Sequence, residues 1–266
     1  ETGLYPTHSY INPTPEQLAV YKDLKVDIND FEHPLQREFL EFVAEHGDVQ
    51  DAMRAYCADV TALDTEIGRL MKVLAELSLE EETIVIFSSD NGPGPLSSNW
   101  NSIIERYKER PTLLNNVGSA GPFRSRKSSL YDGGVRAPLF IHWPGTIEPG
   151  QVDKETIFHG ADFLPTIAAL ADAEIPETHL DGQDLSKAFL GTSVERDKIL
   201  YWSDKPWWVS LRDKQWKAHM IRNEFLLFDL EKDPSESNNL ANKFPEKAEK
   251  YRKLLMQWST EIHQKG

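Results

Sequence analysis

The chain is poor in cysteine, in basic residues and in long apolar runs, and each shortage closes a class of function. A single cysteine, Cys57, occurs among 266 residues, which excludes an intramolecular disulfide and a cysteine-rich zinc site. Lys and Arg number 29 against 43 Asp and Glu, a net charge of −14. That balance argues against a general nucleic-acid binder, which needs clustered cations to neutralise phosphates. The longest basic cluster, Arg124 to Lys127, is short and set in a loop, so it reads as a local anion site rather than a groove. No apolar run reaches membrane-spanning length, and the amino terminus has no basic-then-apolar export pattern. A soluble chain is expected, its export signal absent or removed. No Asn-x-Ser/Thr sequon is present, Asn12 being followed by proline, which argues against an N-glycosylated animal protein.

What is present is organised around residues 82–136. The run Thr83-Ile84-Val85-Ile86-Phe87 passes directly into Ser88-Ser89-Asp90-Asn91-Gly92-Pro93. Five apolar or β-branched residues bounded by turn formers predict a strand buried on both faces, as in parallel sheets. Ligands gather at the carboxyl ends of such strands. Here that end carries an acid and an amide, two hard oxygen donors suited to a divalent cation. The same Asp-Asn-Gly-Pro is also ordinary turn chemistry, and the sequence pattern leaves both readings open. Downstream lie Arg124-Ser125-Arg126-Lys127 and Tyr131-Asp132-Gly133-Gly134-Val135-Arg136. The latter reads as a tight turn with close backbone approach and an internal ion pair.

Around this stretch the periodicity predicts layered α/β structure. Thr14 caps a short helix with Pro15 at its first position, reaching about Asp23. A second helix covers Leu35 to Ala44. Asp48 caps a long helix whose apolar stripe runs from Met53, Tyr56 and Cys57 through Val60, Leu63, Ile67, Leu70, Met71, Leu74 and Leu77. Cys57 lies on that stripe, as core filling rather than a nucleophile. A further strand is expected over Ala137–Trp143 and a helix over Ala161–Leu170, with Pro165 early enough to be tolerated. The long stretch from Gly94 to Ala120 carries little periodicity beyond a short helix at 103–108. After Gly191 four short strand-like runs follow, Ile199–Trp202, Trp207–Leu211, Trp216–Met220 and Phe225–Leu230, the signature of a small antiparallel sheet. A helix from Phe244 to about Ile262 closes the chain. The predicted domains are 1–191 and a small α+β subdomain, 192–266.

Taken together, TIVIFSSDNGPGP, KSSLYDGGVRAPLFIHWPG, DFLPTIAALADAEIP, LDGQDLSKAFLG and the tail WKAHMIRNEFLLFDLEKDPSESNNLANKFPE resemble the carboxyl-terminal part of a type I sulfatase of the alkaline-phosphatase-like superfamily. The resemblance implies an alkaline-phosphatase-like layered sheet with flanking helices. It implies a sulfuric ester hydrolase acting on a sulfated carbohydrate or aryl sulfate, in an extracytoplasmic compartment, periplasmic or secreted. Asp90 and Asn91 match paired calcium ligands, Lys127 matches a lysine that reaches the sulfate, and His8 matches, more loosely, a histidine that helps protonate the leaving oxygen. Arg124 is a second candidate cation for the anion. Solvated loop residues are the alternative readings for Lys127, His8 and Arg124. Trp100, Trp207 and Trp208 are candidate faces for sugar stacking, with at least one of the adjacent pair expected in the core.

The departures matter as much as the matches. The family's Cys-x-Pro-x-Arg or Ser-x-Pro-x-Arg segment, source of the formylglycine nucleophile, does not occur, and neither does its amino-terminal Asp-Asp pair. The resemblance therefore implies a calcium site only partly supplied here, and an amino-terminal half as partner. Two rivals stand beside the sulfatase reading: a phosphonate or phosphodiester hydrolase of the same superfamily, and a catalytically inactive glycan-binding module.

Overall fold

A computed structural model of the chain describes residues 13–31, 34–94, 117–175 and 179–263. His8, Trp100 and the short helix expected at 103–108 lie outside them. The chain forms two compact units, residues 1–79 with 90–137, and residues 80–89 with 138–266.

The first unit is helical where the pattern asked for helix. Helix α1 (Pro15–Ala19) starts in a reciprocal cap, Thr14 accepting from the Gln17 amide while Gln17 accepts from the Thr14 amide. It stops at Ala19, short of the expected Asp23. Helix α2 (Pro34–His46) follows, and Asp48 then caps α3 (Val49–Glu76) through the amides of Gln50 and Asp51. The core joins Phe39, Leu40, Phe42 and Val43 of α2 to Val49 and Ala52 of α3, with Val117 closing it.

The long stripe on α3 is corrected in part. Its buried residues are Val49, Ala52, Ala55 and Ala58, all in the first half. Leu70 is 49% exposed and Leu77 61%. Periodicity names the side of a helix that seeks cover, and the described residues bury only the amino-terminal turns fully, leaving Leu63, Ile67, Met71 and Leu74 half-buried. Cys57 is half-buried and its thiol is pushed up by burial, which keeps it protonated and inert, as expected.

The second unit begins with β1 (Val85–Ser88), which pairs antiparallel with β2 (Leu139–His142) in a two-stranded sheet. Among the described residues, the parallel, doubly buried strand expected here is therefore not found. β1 is half-buried, and β2 alternates, with Phe140 62% exposed. An apolar run alone does not distinguish these arrangements, because strand direction is set by the partner.

A turn of 3₁₀ helix at Gly160–Asp162 leads into α5 (Phe163–Leu170), with Pro165 in the first turn. One-turn helices at Asp132–Val135 (α4, in the first unit) and Ser186–Phe189 (α6) were not anticipated. Asp162 is fully buried and organises this region: it accepts from the amides of His159 and Gln183 and pairs with buried Arg196.

The four late strands form one antiparallel sheet in sequence order, β3 (Leu200–Lys205), β4 (Trp208–Asp213), β5 (Trp216–Ile221) and β6 (Glu224–Asp229). Helix α7 (Pro245–His263) lays Ala248, Tyr251 and Leu255 over Val209, Leu211, Ala218 and Leu227. Lys217 and His219 of β5 meet Glu236 at 3.7 and 2.9 Å, all three without solvent exposure. Glu236 adopts left-handed backbone, φ +49°. The ion pair from Lys217 and the hydrogen bond between His219 and Glu236 hold the Asp233-Pro234-Ser235-Glu236 turn in that conformation.

One titration is coupled to this packing. Burial lowers the His159 pKa; Asp162 and Asp181 oppose the shift and Arg196 adds to it. The neutral Nδ1 accepts the Ala161 amide at 3.1 Å, a bond that protonation removes. The unfolded chain thus holds the proton more tightly, so this contribution is complete above about pH 6.5 and is lost as pH falls through the lower folded value. Thermal melts between about pH 7.5 and 5 should fall more steeply for the wild type than for His159→Asn, whose side chain caps without titrating. Parallel curves would contradict the assignment.

Candidate functional site

The site is built in the first unit from two loops that the main chain stitches together. The first is Asp90-Asn91-Gly92-Pro93, which begins two residues after β1 ends. The second runs from Arg124 into α4. The Gly92 amide donates to the Gly134 carbonyl at 3.0 Å, and the Lys127 amide donates to the Pro93 carbonyl at 2.9 Å. The Gly133 amide closes the second loop on itself by donating to the Arg124 carbonyl at 2.8 Å. Each such bond contributes about 1 kcal/mol net, but their main consequence is positional. The backbone that carries the acid–amide couplet and the backbone that carries the lysine are in direct contact.

Glycine is required for this approach. A Cβ on Gly92 would sit 1.8 Å from the Gly133 carbonyl oxygen, and one on Gly133 would sit 2.2 Å from the Ser125 carbonyl oxygen. No side chain fits either gap. The lysine loop also carries strain: Ser125 and Ser128 adopt left-handed backbone, φ +68° and +71°, at about 1–2 kcal/mol each. They bracket Arg126 and Lys127. Strained backbone of this kind persists where surrounding bonds over-determine it, commonly at functional sites.

The expected site residues other than His8 have definite places. Asp90 is exposed and Asn91 half-buried; Lys127 and Arg124 are half-buried. The Arg124 guanidinium lies 4.1 Å from the centroid of the Tyr131 ring, a cation–π contact that gives this residue a packing role besides any anion contact. Asp132 is 2% exposed and Arg136 reaches it at 3.6 Å, the internal ion pair that the turn predicted. His8 lies outside the described residues, so its placement against Lys127 is not described. His142 is exposed, and His159 is the cap described above. Trp208 is half-buried and Trp207 exposed, in line with one of the pair packing inward.

The donors fit a hard cation in kind but not in number. Calcium takes about six to eight oxygens, and the Asp90-Asn91 couplet offers two side chains. Among the described residues no group of three or more His, Cys, Asp or Glu could hold a metal ion. The described residues therefore do not complete a calcium site.

Sequence reasoning passed over Arg126, the residue that fixes the lysine loop. It is 6% exposed. Its Nε donates to the Gly94 carbonyl at 2.8 Å, its Nη1 to Gln36 Oε1 at 2.6 Å, and its Nη2 to the Gly118 carbonyl. Burial lowers this guanidinium to about 10, with Tyr56 opposing. A cavity of about 10 Å³ beside it, lined by Gln36, Phe123 and Ser125 among others, has room for one water at most. It is a packing gap and not a substrate pocket. Gln36 lies 90 residues away in the chain, so no local pattern could have signalled the pair.

Comparison with known proteins agrees with the motifs. The sequence profile of the family described as Sulfatase matches residues 6–173, and that of N-sulphoglucosamine sulphohydrolase, C-terminal, matches residues 118–265. Arylsulfatase A of Homo sapiens is 34% identical over 206 residues, covering 67% of this chain and 37% of that protein. N-acetylgalactosamine-6-O-sulfatase of Bacteroides thetaiotaomicron is 29% identical over 213 residues, covering 74% and 40%. The crystal structure of Ps i-CgsB in complex with k-i-k-neocarrahexaose superposes with a TM-score of 0.71 over 95% of this chain and 48% of that one. At its 24% identity it shows the fold. The chain thus spans less than half the length of these relatives. It belongs to the sulfatase family.

The glycine contact gives a direct test. Gly92→Ala should cost at least about 2 kcal/mol, since the clash is with backbone that has no rotamer to yield. Gly68→Ala, in the middle of α3 with nothing within 4 Å of its Cβ, should instead stabilise by up to about 1 kcal/mol. Urea unfolding midpoints at constant m-value measure both. Equal effects would contradict the packing described.

Proposed function

We propose that the chain supplies the carboxyl-terminal part of a sulfuric ester hydrolase that removes sulfate from a sulfated carbohydrate or aryl sulfate. The observation that carries this reading is the contact between the Asp90–Pro93 loop and the Lys127 loop. It supports a reading in which one small region offers two oxygen donors to a cation and an ammonium to an anion. Those are the charges a sulfate ester needs around it.

In this reading residues 1–191 belong to the catalytic domain and 192–266 form a small terminal subdomain. Asp90 and Asn91 donate two oxygens toward calcium, and the remaining ligands come from the amino-terminal half, the proposed partner. Formylglycine, also expected in that half, supplies the nucleophile. The work of this chain's own residues is electrostatic. Lys127 faces the sulfate and offsets negative charge that builds on its oxygens as the ester bond breaks. Arg124 adds positive charge beside it while stacked on Tyr131. His8 donates a proton to the departing oxygen. No helix among the described residues is long and apolar enough to cross a membrane, and the enzyme is proposed to act outside the cytoplasm, in the periplasm or after secretion.

The rivals are separable. Matched sulfate and phosphate esters offered to the complete protein distinguish a sulfatase from a phosphonate or phosphodiester hydrolase on the same scaffold. Binding of a sulfated oligosaccharide without turnover, even in the presence of the amino-terminal half, would favour an inactive glycan-binding module.

In the complete protein Lys127→Ala should lower kcat for a sulfate ester by about 10²–10³, the usual effect of removing one preorganised electrostatic contact. An unchanged kcat would remove Lys127 from the site. The 266-residue chain alone should show no turnover, and sulfate-ester hydrolysis by it would refute the division of the site between two halves.

A further inference from the structure

We infer that the ends of two hairpins in the terminal sheet form a second, non-catalytic site for a sulfated saccharide, built from Trp207, Lys205 and Arg222. The β3–β4 connection is Pro206-Trp207, since Lys205 pairs with Trp208. The β5–β6 connection is Arg222-Asn223, since Ile221 pairs with Glu224. Trp208 pairs with Ile221, so both turns lie at the same end of the sheet. The Arg222 amide donates to the Trp207 carbonyl, which joins the two turns directly.

That junction gathers side chains that a purely structural turn would not need. Trp207 stacks on Trp208 with ring centroids 6.4 Å apart, yet remains 42% exposed. The Lys205 ammonium lies 5.5 Å from its ring centroid and the Arg222 guanidinium 5.4 Å. Arg222 sits in left-handed backbone, φ +55°, a conformation usually left to Gly or Asn in such a turn. Neither cation makes an ion pair among the described residues, although Asp204 and Glu224 stand next to them in sequence and are exposed. Two exposed cations without carboxylate partners are thus held over one indole in a chain of net charge −14.

The chemistry points to one class of ligand. A sulfate group takes N–H donors from a guanidinium and an ammonium as charge-assisted bonds. The indole beside them offers rigid apolar surface for the face of the sugar that carries the sulfate. A phosphorylated protein or nucleic acid would call for a wider basic surface than two residues. The inference rests on the sulfatase reading for the identity of the anion, and on the sheet alone for the site. It predicts that these hairpin ends contribute to holding a polymeric substrate.

The test uses the whole 266-residue chain and a hexasaccharide with one sulfate per disaccharide, followed by tryptophan fluorescence and calorimetry. Binding should weaken as salt rises, and should weaken tenfold or more for Lys205→Ala/Arg222→Ala and for Trp207→Ala. Lys72→Ala, which removes an exposed lysine from α3, should bind as the wild type does, which separates a specific contact from a general loss of positive charge. The double cation variant changes only exposed side chains, so it remains folded by circular dichroism even where Trp207→Ala does not. Absence of binding, equal binding by the double variant, or equal binding of the chemically desulfated hexasaccharide would each overturn the inference. So would inorganic sulfate bound as tightly as the saccharide.

Discussion

The arrangement described depends on one main-chain contact, the paired approach of Gly92 to Gly134 and of Lys127 to Pro93. Everything that makes the first unit a candidate for ester chemistry follows from it. The contact exists because two glycines leave room for carbonyl oxygens where a Cβ would overlap them. It holds because buried Arg126 draws Gln36, Gly94 and Gly118 to a single guanidinium. Three carbonyl or amide oxygens each take a bond from one of the three nitrogens of this buried cation, which ties α2 and the backbone at Gly94 and Gly118 to the lysine loop. The left-handed serines on either side of Arg126 and Lys127 show that this geometry is imposed on the loop rather than chosen by it.

Charge is distributed unevenly around that contact. The molecule as a whole is strongly acidic, yet the loop that ends in Lys127 carries three cations in four residues. One of them is buried in structure, one is stacked on Tyr131, and one, Lys127, is half-buried and not drawn into that packing. A dense basic cluster in an acidic chain is therefore less an electrostatic patch than a division of labour. Two arginines build the loop, and the lysine is the cation proposed to meet an anion. The terminal sheet repeats the principle with different parts, its buried Lys217 committed to Glu236 while Lys205 and Arg222 remain at the surface.

Much of this was legible in the sequence. Asp48 and Thr14 announce helix starts because capping is a local bond. The four terminal strands follow from alternation between turn residues, and Tyr131-Asp132-Gly133-Gly134 from the ordinary chemistry of a close turn. What escaped were facts that depend on distant chain. The direction of β1 is set by β2, more than fifty residues on, and its apolar run says nothing of that partner. The exposed half of α3 has the periodicity of a buried helix, because a stripe records the need for cover and not its supply. Arg126 looks like a loop arginine until Gln36 is placed beside it.

The central claim is that the acid–amide loop and the lysine loop are one rigid piece. Amide hydrogen exchange tests it most directly, because the Gly92 and Lys127 amides are the donors that join them. The account predicts that these two amides and that of Gly133 exchange slowly and at a common rate, opening together as one unit. Rapid exchange at Gly92 and Lys127 while the amides of α2 and the first half of α3 stay protected would contradict it, and the two loops would then be neighbours without a shared site.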